Sequence, residues 1–236
     1  MRRFLIAVAA AATVSGCAAF EPPKKLAPPI RVNEDPYPST YQRYPGALTV
    51  IRHATMFDGE GRQINDATLV FGDGVIHAVG GPELASPAGA IEIDGTGKWV
   101  TPGVIDVHSH LGDYPSPGVE SLSDGNEATA PARPEVWAEH SVWPQDPGFS
   151  RALVNGGVTT LQILPGSANL FGGRSVTVKN VPARTAQGMK FPGAPYGLKM
   201  ACGENPKRVY GSKGNMPQTR MGNIAYARGV WIKAQD

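Results

Sequence analysis

The apolar run Val104-Ile105-Asp106-Val107 leads without a break into His108-Ser109-His110, directly after Thr101-Pro102-Gly103. A short β-branched run bounded by Pro and Gly predicts a buried strand. Side chains alternate faces along a strand, so Asp106, His108 and His110 are expected on one side at successive heights. Two imidazoles converging from one side can reach a single divalent ion at about 2.0–2.1 Å. His108 and His110 are therefore candidate metal ligands, with a pair of ordinary surface histidines as the competing reading. Asp106, one step deeper, is a candidate to orient a ligand from behind. The pair closes a strand and opens a glycine-containing loop, which is where barrel enzymes keep their catalytic groups.

Around this string the chain changes texture. Residues 47–102 carry short β-branched runs separated by Gly and Asp, at Leu48–Ile51, Ala67–Phe71, Val75–Val79, Ala90–Ile93 and Lys98–Val100, which predicts a small β-sandwich or meander. Gly72-Asp73 followed by Gly74 is a hairpin signal. Downstream, Asp146 to Asn155 reads as a helix packing outside, and Gly156 to Gly166 as a second buried strand ending in a loop. Strand, long loop, helix and strand in that order predict a βαβ unit with parallel pairing. Gly197 to Cys202 reads as another buried strand, and Thr219 as the N-cap of a final helix.

The N-terminal residues read as an address. Arg2 and Arg3 precede an apolar run from Phe4 to Val14, too short to span a bilayer core of about 30 Å. Val14-Ser15-Gly16-Cys17 resembles a bacterial lipobox, so residues 1–17 read as a lipoprotein signal peptide with Cys17 lipidated. An ordinary signal peptide cut near Ala18 or Ala19 is the competing reading. Residues 18–46, with seven prolines between positions 21 and 45, read as a tether. These features predict an exported protein on the periplasmic or cell-envelope side, held to a membrane by lipid. The balance of 22 basic and 20 acidic residues argues against a nucleic-acid partner.

Phe57-Asp58-Gly59, Gly74 to Gly80, Asp94 to Gly97 and Val100 to Gly112 together resemble the opening of the amidohydrolase superfamily, and of its imidazolonepropionase-like members in particular. Gly156 to Leu161, Pro165 to Asn169, Gly172-Gly173 and Gly197 to Lys207 are similar to the same subgroup. The resemblance implies an α/β fold: the N-terminal part of a composite β-sandwich (47–102), then the first part of a (β/α)8 TIM barrel (103–236), incomplete. It implies a metal-dependent hydrolase acting on carbon–nitrogen bonds of a small amide-type substrate, with one or two divalent ions, most often zinc, activating a water. His108 and His110 would be first-strand ligands.

Such a barrel takes about 250 residues, whereas Gly103 to Asp236 spans 134, room for about three βα units. The chain therefore reads as the N-terminal half of an enzyme, C-terminally truncated and inactive alone. An alternative is a non-catalytic exported lipoprotein that binds a partner or a complementary half. No histidine follows His140, so the family's later His pair and its last-strand catalytic Asp have no counterparts. His53 and His77 read as exposed strand residues. Lys199 is a weaker candidate as a carboxylated bridge, against a salt bridge or a snorkelling stem. Glu204 is a weaker candidate ligand, against a solvated loop acid. Asn126, Glu127, Thr129, Ser167 and Asn169 are candidate substrate contacts, against plain loop hydrogen bonding. An open sheet also predicts poor solubility of the isolated chain.

Overall fold

A computed structural model describes residues 35–235. Residues 1–17, read above as a signal peptide ending in Cys17, and most of the segment read as a tether lie outside the described residues. Residues 35–46 hold no helix or strand, yet they are bonded to the body of the fold. Thr40 N donates to Gln187 O at 3.0 Å, and Ser39 Oγ to Lys190 O at 2.6 Å.

Residues 49–100 form one mixed sheet of five strands, β1 (Thr49–Phe57), β2 (Gln63–Gly72), β3 (Val75–Gly80), β4 (Ile91–Asp94) and β5 (Trp99–Val100). The first three make the expected antiparallel meander, while β4 and β5 both pair parallel to β1. The β2–β3 hairpin turns on Asp73-Gly74, one residue later than the sequence suggests. Both turn residues have positive φ, 49° and 70°, as the type I′ geometry demands. Among the described residues the segment read as part of a β-sandwich is this single sheet. Cross-strand neighbours Val79, Leu69, Ile51 and Ile93 line up as an apolar row across four strands. Val79 and Ile93, at its ends, remain 43% and 42% exposed.

The predicted βαβ unit is present. Strand β6 (Val104–Ser109) pairs parallel with β7 (Val158–Ile163), and α1 (Pro147–Gly156) connects them. Local chemistry sets the ends of α1. The Asp146 carboxylate caps Gly148 N at 2.9 Å, Pro147 takes a first-turn position that needs no N–H donor, and Gly157 stops the helix at φ 62°. Behind the sheet Phe149, Leu161, Ile163, Val176, Val178 and Met189 form the larger core.

Two expectations are corrected here. About three βα units were expected, but one parallel pair forms, and the next strand on the β7 edge, β9 (Val176–Lys179), runs antiparallel. The chain turns back between Ile163 and Val176, a stretch that holds β8 (Phe171–Arg174), whose Gly173 has φ 110° and leaves no room for a side chain against the Val136 carbonyl. Strand β10 (Leu198–Met200) then pairs antiparallel with β8. A barrel is therefore not formed among the described residues. Secondly, β6 was expected to be buried. It pairs with β7 alone, so Val104, Ile105 and Val107 are 50%, 64% and 69% exposed.

An apolar, unpaired edge of this kind templates association. Ile105→Lys is expected to reduce concentration-dependent self-association of the purified chain in analytical ultracentrifugation, while Ile232→Lys on the last helix (α4, Arg220–Lys233) is expected to reduce it less. Equal behaviour of both variants and the parent would contradict an edge-driven mechanism.

Candidate functional site

The strand end at His108 and His110 faces a cleft of about 580 Å³, lined by His108, Ser167, Lys199, Cys202 and Glu204 among others. His108 is exposed and His110 half-buried, with ring centroids 5.3 Å apart and nearly perpendicular planes. The His110 Nδ1 lies 2.7 Å from the Leu164 carbonyl oxygen, just past the end of β7. A carbonyl can only accept, so Nδ1 carries the proton and Nε2 keeps its lone pair. Burial lowers the His110 pKa, with help from nearby Lys199 and His108, so the neutral ring is favoured. A neutral imidazole with one nitrogen held by a carbonyl and the other free is the form that binds metals.

Lys199 is brought to the same place from 91 residues away in sequence. It sits at the centre of β10, 5% exposed, with Nζ at 3.2 Å from His108 Nε2. Burial lowers its pKa. The sequence reading of Lys199 as an inter-strand salt bridge finds no acidic partner among the described residues. Glu204 is the exposed first residue of α3 (Glu204–Gly211), on the rim of the same cleft. Asp106 is turned to its own strand: its carboxylate accepts the His108 backbone N–H at 3.1 Å. Among the described residues no group of three His, Cys, Asp or Glu side chains converges on one point. The donors that do converge here are two imidazoles and one buried lysine.

The remaining candidates separate clearly. Asn126 and Asn169 are staples of the long loop. The Asn126 amide donates to Gly166 O at 2.9 Å and Asn169 Oδ1 at 3.0 Å, and buried Asn169 donates to the carbonyls of Glu127 and Ala130 at 2.7 and 2.8 Å. Thr129 accepts from Arg133 Nε at 3.0 Å. Ser167 and Glu127 retain access to the clefts that they line. His53 is tied to Asp66 at 2.7 Å, and His77 is exposed on β3. His140 lies parallel to Trp137 at 5.8 Å, on the wall of a second and larger cavity.

Sequence reasoning missed Asp113. It follows Gly112 in the long loop, is 1% exposed, and its Oδ2 has no hydrogen-bond partner. Burial pushes its carboxyl up to about 6, against the pull of a hydrogen bond from the Ser141 hydroxyl. A carboxyl whose folded pKa lies above its unfolded value of about 3.9 stabilises the fold below pH 4 and loses that contribution as pH rises through 6. Asp113→Asn is expected to be neutral at pH 4 and to stabilise by about 1–3 kcal/mol at pH 8. Urea midpoints at the two pH values check this, and an equal effect at both would contradict it. The only local signal in the sequence was an acid next to the glycine of the loop that follows β6.

The chain is similar to several known proteins. It is 35% identical over 216 residues to amidohydrolase tasK of Hapsidospora irregularis, covering 81% of this chain and 22% of that protein. It is 32% identical over 127 residues to an imidazolonepropionase of Pseudomonas putida, covering 48% of this chain and 32% of that protein. The crystal structure of an amidohydrolase from Thermotoga maritima MSB8 superposes with a TM-score of 0.71 and 39% identity, covering 79% of this chain and 47% of that one. The chain thus spans about half of that structure and less than a third of the two sequence relatives. No protein-family model matches the chain.

Proposed function

The chain belongs to the amidohydrolase superfamily, imidazolonepropionase-like, and from that premise we propose that it carries the metal-binding opening of a hydrolase acting on carbon–nitrogen bonds other than ordinary peptide bonds. The observation that carries this reading is the juxtaposition of His108, His110 and Lys199 at one strand end, with Lys199 Nζ at 3.2 Å from His108. The donor chemistry fits a divalent ion, zinc above all: two imidazoles, one favoured in its neutral form by burial with its tautomer set by the Leu164 carbonyl, beside an amine that burial holds toward its neutral, reactive form. When bound, such an ion supplies Lewis-acid polarisation of an amide carbonyl and lowers the pKa of a coordinated water toward about 7.

The chain's own residues do the rest. The His110–Leu164 bond holds one ring in a fixed direction, so little order is lost on binding. The buried stem of Lys199 sets its amine against His108, where carboxylation would convert it into an anionic bridge. Glu204, on the rim, is a further oxygen donor within the same cleft. The substrate is a small amide or cyclic amide. The lipobox-like Val14 to Cys17 supports an enzyme exported to the envelope side and anchored through lipid on Cys17.

Titrating the purified chain with cobalt(II) tests the reading, since cobalt in a zinc-type site gives visible d–d absorption. Saturable binding with that absorption is the expected result. Absence of metal uptake would sink it. The competing reading, a non-catalytic lipoprotein that docks a complementary polypeptide, draws on the exposed apolar edge at Val104, Ile105 and Val107. It requires that Ala at both His108 and His110 leave every binding property of the chain intact.

A further inference from the structure

Tyr114 stands directly against the histidine pair. Its backbone N–H donates to the His110 carbonyl at 2.9 Å, which folds the loop back toward the strand end. Its ring then meets the His110 ring edge-on, with centroids 5.4 Å apart and planes at 86°. The hydroxyl donates at 2.9 Å to Asn126 Oδ1. That direction is settled, because Asn126 Nδ2 donates to the Gly166 carbonyl at 2.9 Å, and a carbonyl can only accept. Asn169, 0% exposed, locks Asn126 from another side by accepting from the same amide at 3.0 Å.

Two glycines make the space that this phenol occupies. At Gly125 a Cβ would lie 2.1 Å from Tyr114 Cζ, and at Gly166 a Cβ would lie 2.0 Å from the Tyr114 hydroxyl oxygen and 2.1 Å from Asn126 Oδ1. Both glycines are buried, and they are joined to each other, Gly166 N donating to Gly125 O at 2.7 Å. Neither has a positive φ. What excludes a side chain at these two positions is therefore the Tyr114–Asn126 pair and not the backbone conformation. Tyr114 is itself 47% exposed, so a slot this close serves placement of the ring more than its burial.

The slot ends where the His110 tautomer is set. Leu164, whose carbonyl takes the His110 Nδ1 proton at 2.7 Å, lies two positions before Gly166, whose carbonyl takes the Asn126 amide. One short loop thus accepts from His110 and from Asn126, and Tyr114 touches both donors. An imidazole turns about a soft terminal torsion, so a single hydrogen bond leaves it room to swing. An aromatic edge against the ring removes that room. We propose that Tyr114 is a positioning residue of the metal site: seated between Gly125 and Gly166, it holds His110 in the Leu164-bonded form that presents Nε2 to an ion. The proposal rests on the hydrolase reading above for the ion, while the ring orientation belongs to the metal-free chain.

Ring-nitrogen NMR of the full metal-free chain, at about pH 8 where neutral imidazole dominates, reads the tautomer directly, with His110→Ala assigning the signal. The parent is expected to carry the His110 proton on Nδ1. Tyr114→Ala is expected to give a mixture of tautomers and to weaken cobalt(II) binding about tenfold, the lower end of the range for residues that support a ligand. Tyr114→Phe keeps a ring in the slot and is expected to restore most of both. Gly125→Ala is expected to act like Tyr114→Ala, and to add nothing to it in the double variant, where the methyl enters vacated space. A parent ring without the Nδ1 proton, an unchanged tautomer in Tyr114→Ala, a cobalt affinity indifferent to a shifted tautomer, equal losses in the Phe and Ala variants, or additive losses for Gly125 and Tyr114 would each overturn it. A parent that takes up no cobalt sinks the hydrolase reading, and the tautomer comparison still decides the role of Tyr114. A parent that binds cobalt beside an unchanged tautomer in Tyr114→Ala sinks this inference alone.

Discussion

Lys190→Met is expected to cost the fold about 3–5 kcal/mol, the usual effect of stripping one partner from a buried ion pair. Lys190 is 4% exposed and Glu139 3% exposed, and their Nζ and Oε2 lie 2.7 Å apart. The same ammonium reaches Asp35 Oδ1 at 2.8 Å, the Tyr37 carbonyl at 2.7 Å and the Tyr196 hydroxyl at 2.5 Å. Burial alone would lower the Lys190 pKa, but the bonds to Asp35, Glu139 and Tyr196 outweigh it and hold the amine charged. Burial pushes the Tyr196 hydroxyl up to about 12, so it stays a donor. Methionine fills the space of the stem but leaves the Glu139 carboxylate buried without its cation, and its Oε1 already lacks a partner. Adding Glu139→Gln to Lys190→Met removes the stranded charge and is expected to recover at least half the loss. Urea unfolding followed by circular dichroism measures both. A single-variant loss below about 1 kcal/mol would show that the pair is replaceable. The network also joins residues 35–37 to the body of the fold, so the variant is expected to open that segment to proteolysis first.

His110→Ala is expected to weaken metal binding by at least about 100-fold, the upper range seen even for residues that only support a ligand. The expectation follows from preorganisation. Of the pair, His110 is the imidazole whose ring is held by a backbone carbonyl, through Nδ1 to Leu164, and whose free nitrogen is thereby defined. His108→Ala should approach the same loss, and it also removes the contact of Lys199 with the pair. Asp106→Asn is the informative contrast. Its carboxylate is occupied by the His108 backbone N–H, which an amide oxygen can accept equally well, so a change of less than about threefold is expected. Cobalt absorption and zinc content after dialysis give the readings. Similar losses for all three variants would mean that the strand end is merely disturbed.

Part of this molecule was legible from local chemistry. The Asp73-Gly74 turn, the Asp146 cap, the Gly157 stop and the Thr219 cap, which accepts from Gly222 N at 3.0 Å, each depend on residues within four positions of one another. The strand–helix–strand order from Val104 to Ile163 was legible for the same reason, since pattern and turn residues specify it together. The antiparallel β9 was not. Val176 to Lys179 has the texture of any strand, and its direction depends on how the stretch from Leu164 to Ser175 turns back and on which edge of β7 was open. Lys190, Glu139 and Asp113 were invisible, because nothing in their neighbourhoods distinguishes a buried charge from a solvated one.

The candidate metal centre divides along the same line. Sequence alone determined that His108 and His110 sit at the end of one apolar strand, because a period of two and a glycine boundary are local facts. It also named Lys199 as a costly group to bury. Only the tertiary structure decided that Lys199 meets His108, that Leu164 sets the His110 tautomer, and that Asp113 is buried against Ser141 with its second oxygen unpartnered. Those are contacts across 91, 54 and 28 or more residues of chain, and their energies depend on burial and on which donors arrive together. No local pattern encodes either quantity; both emerge when the sheet edges and loops are brought into place.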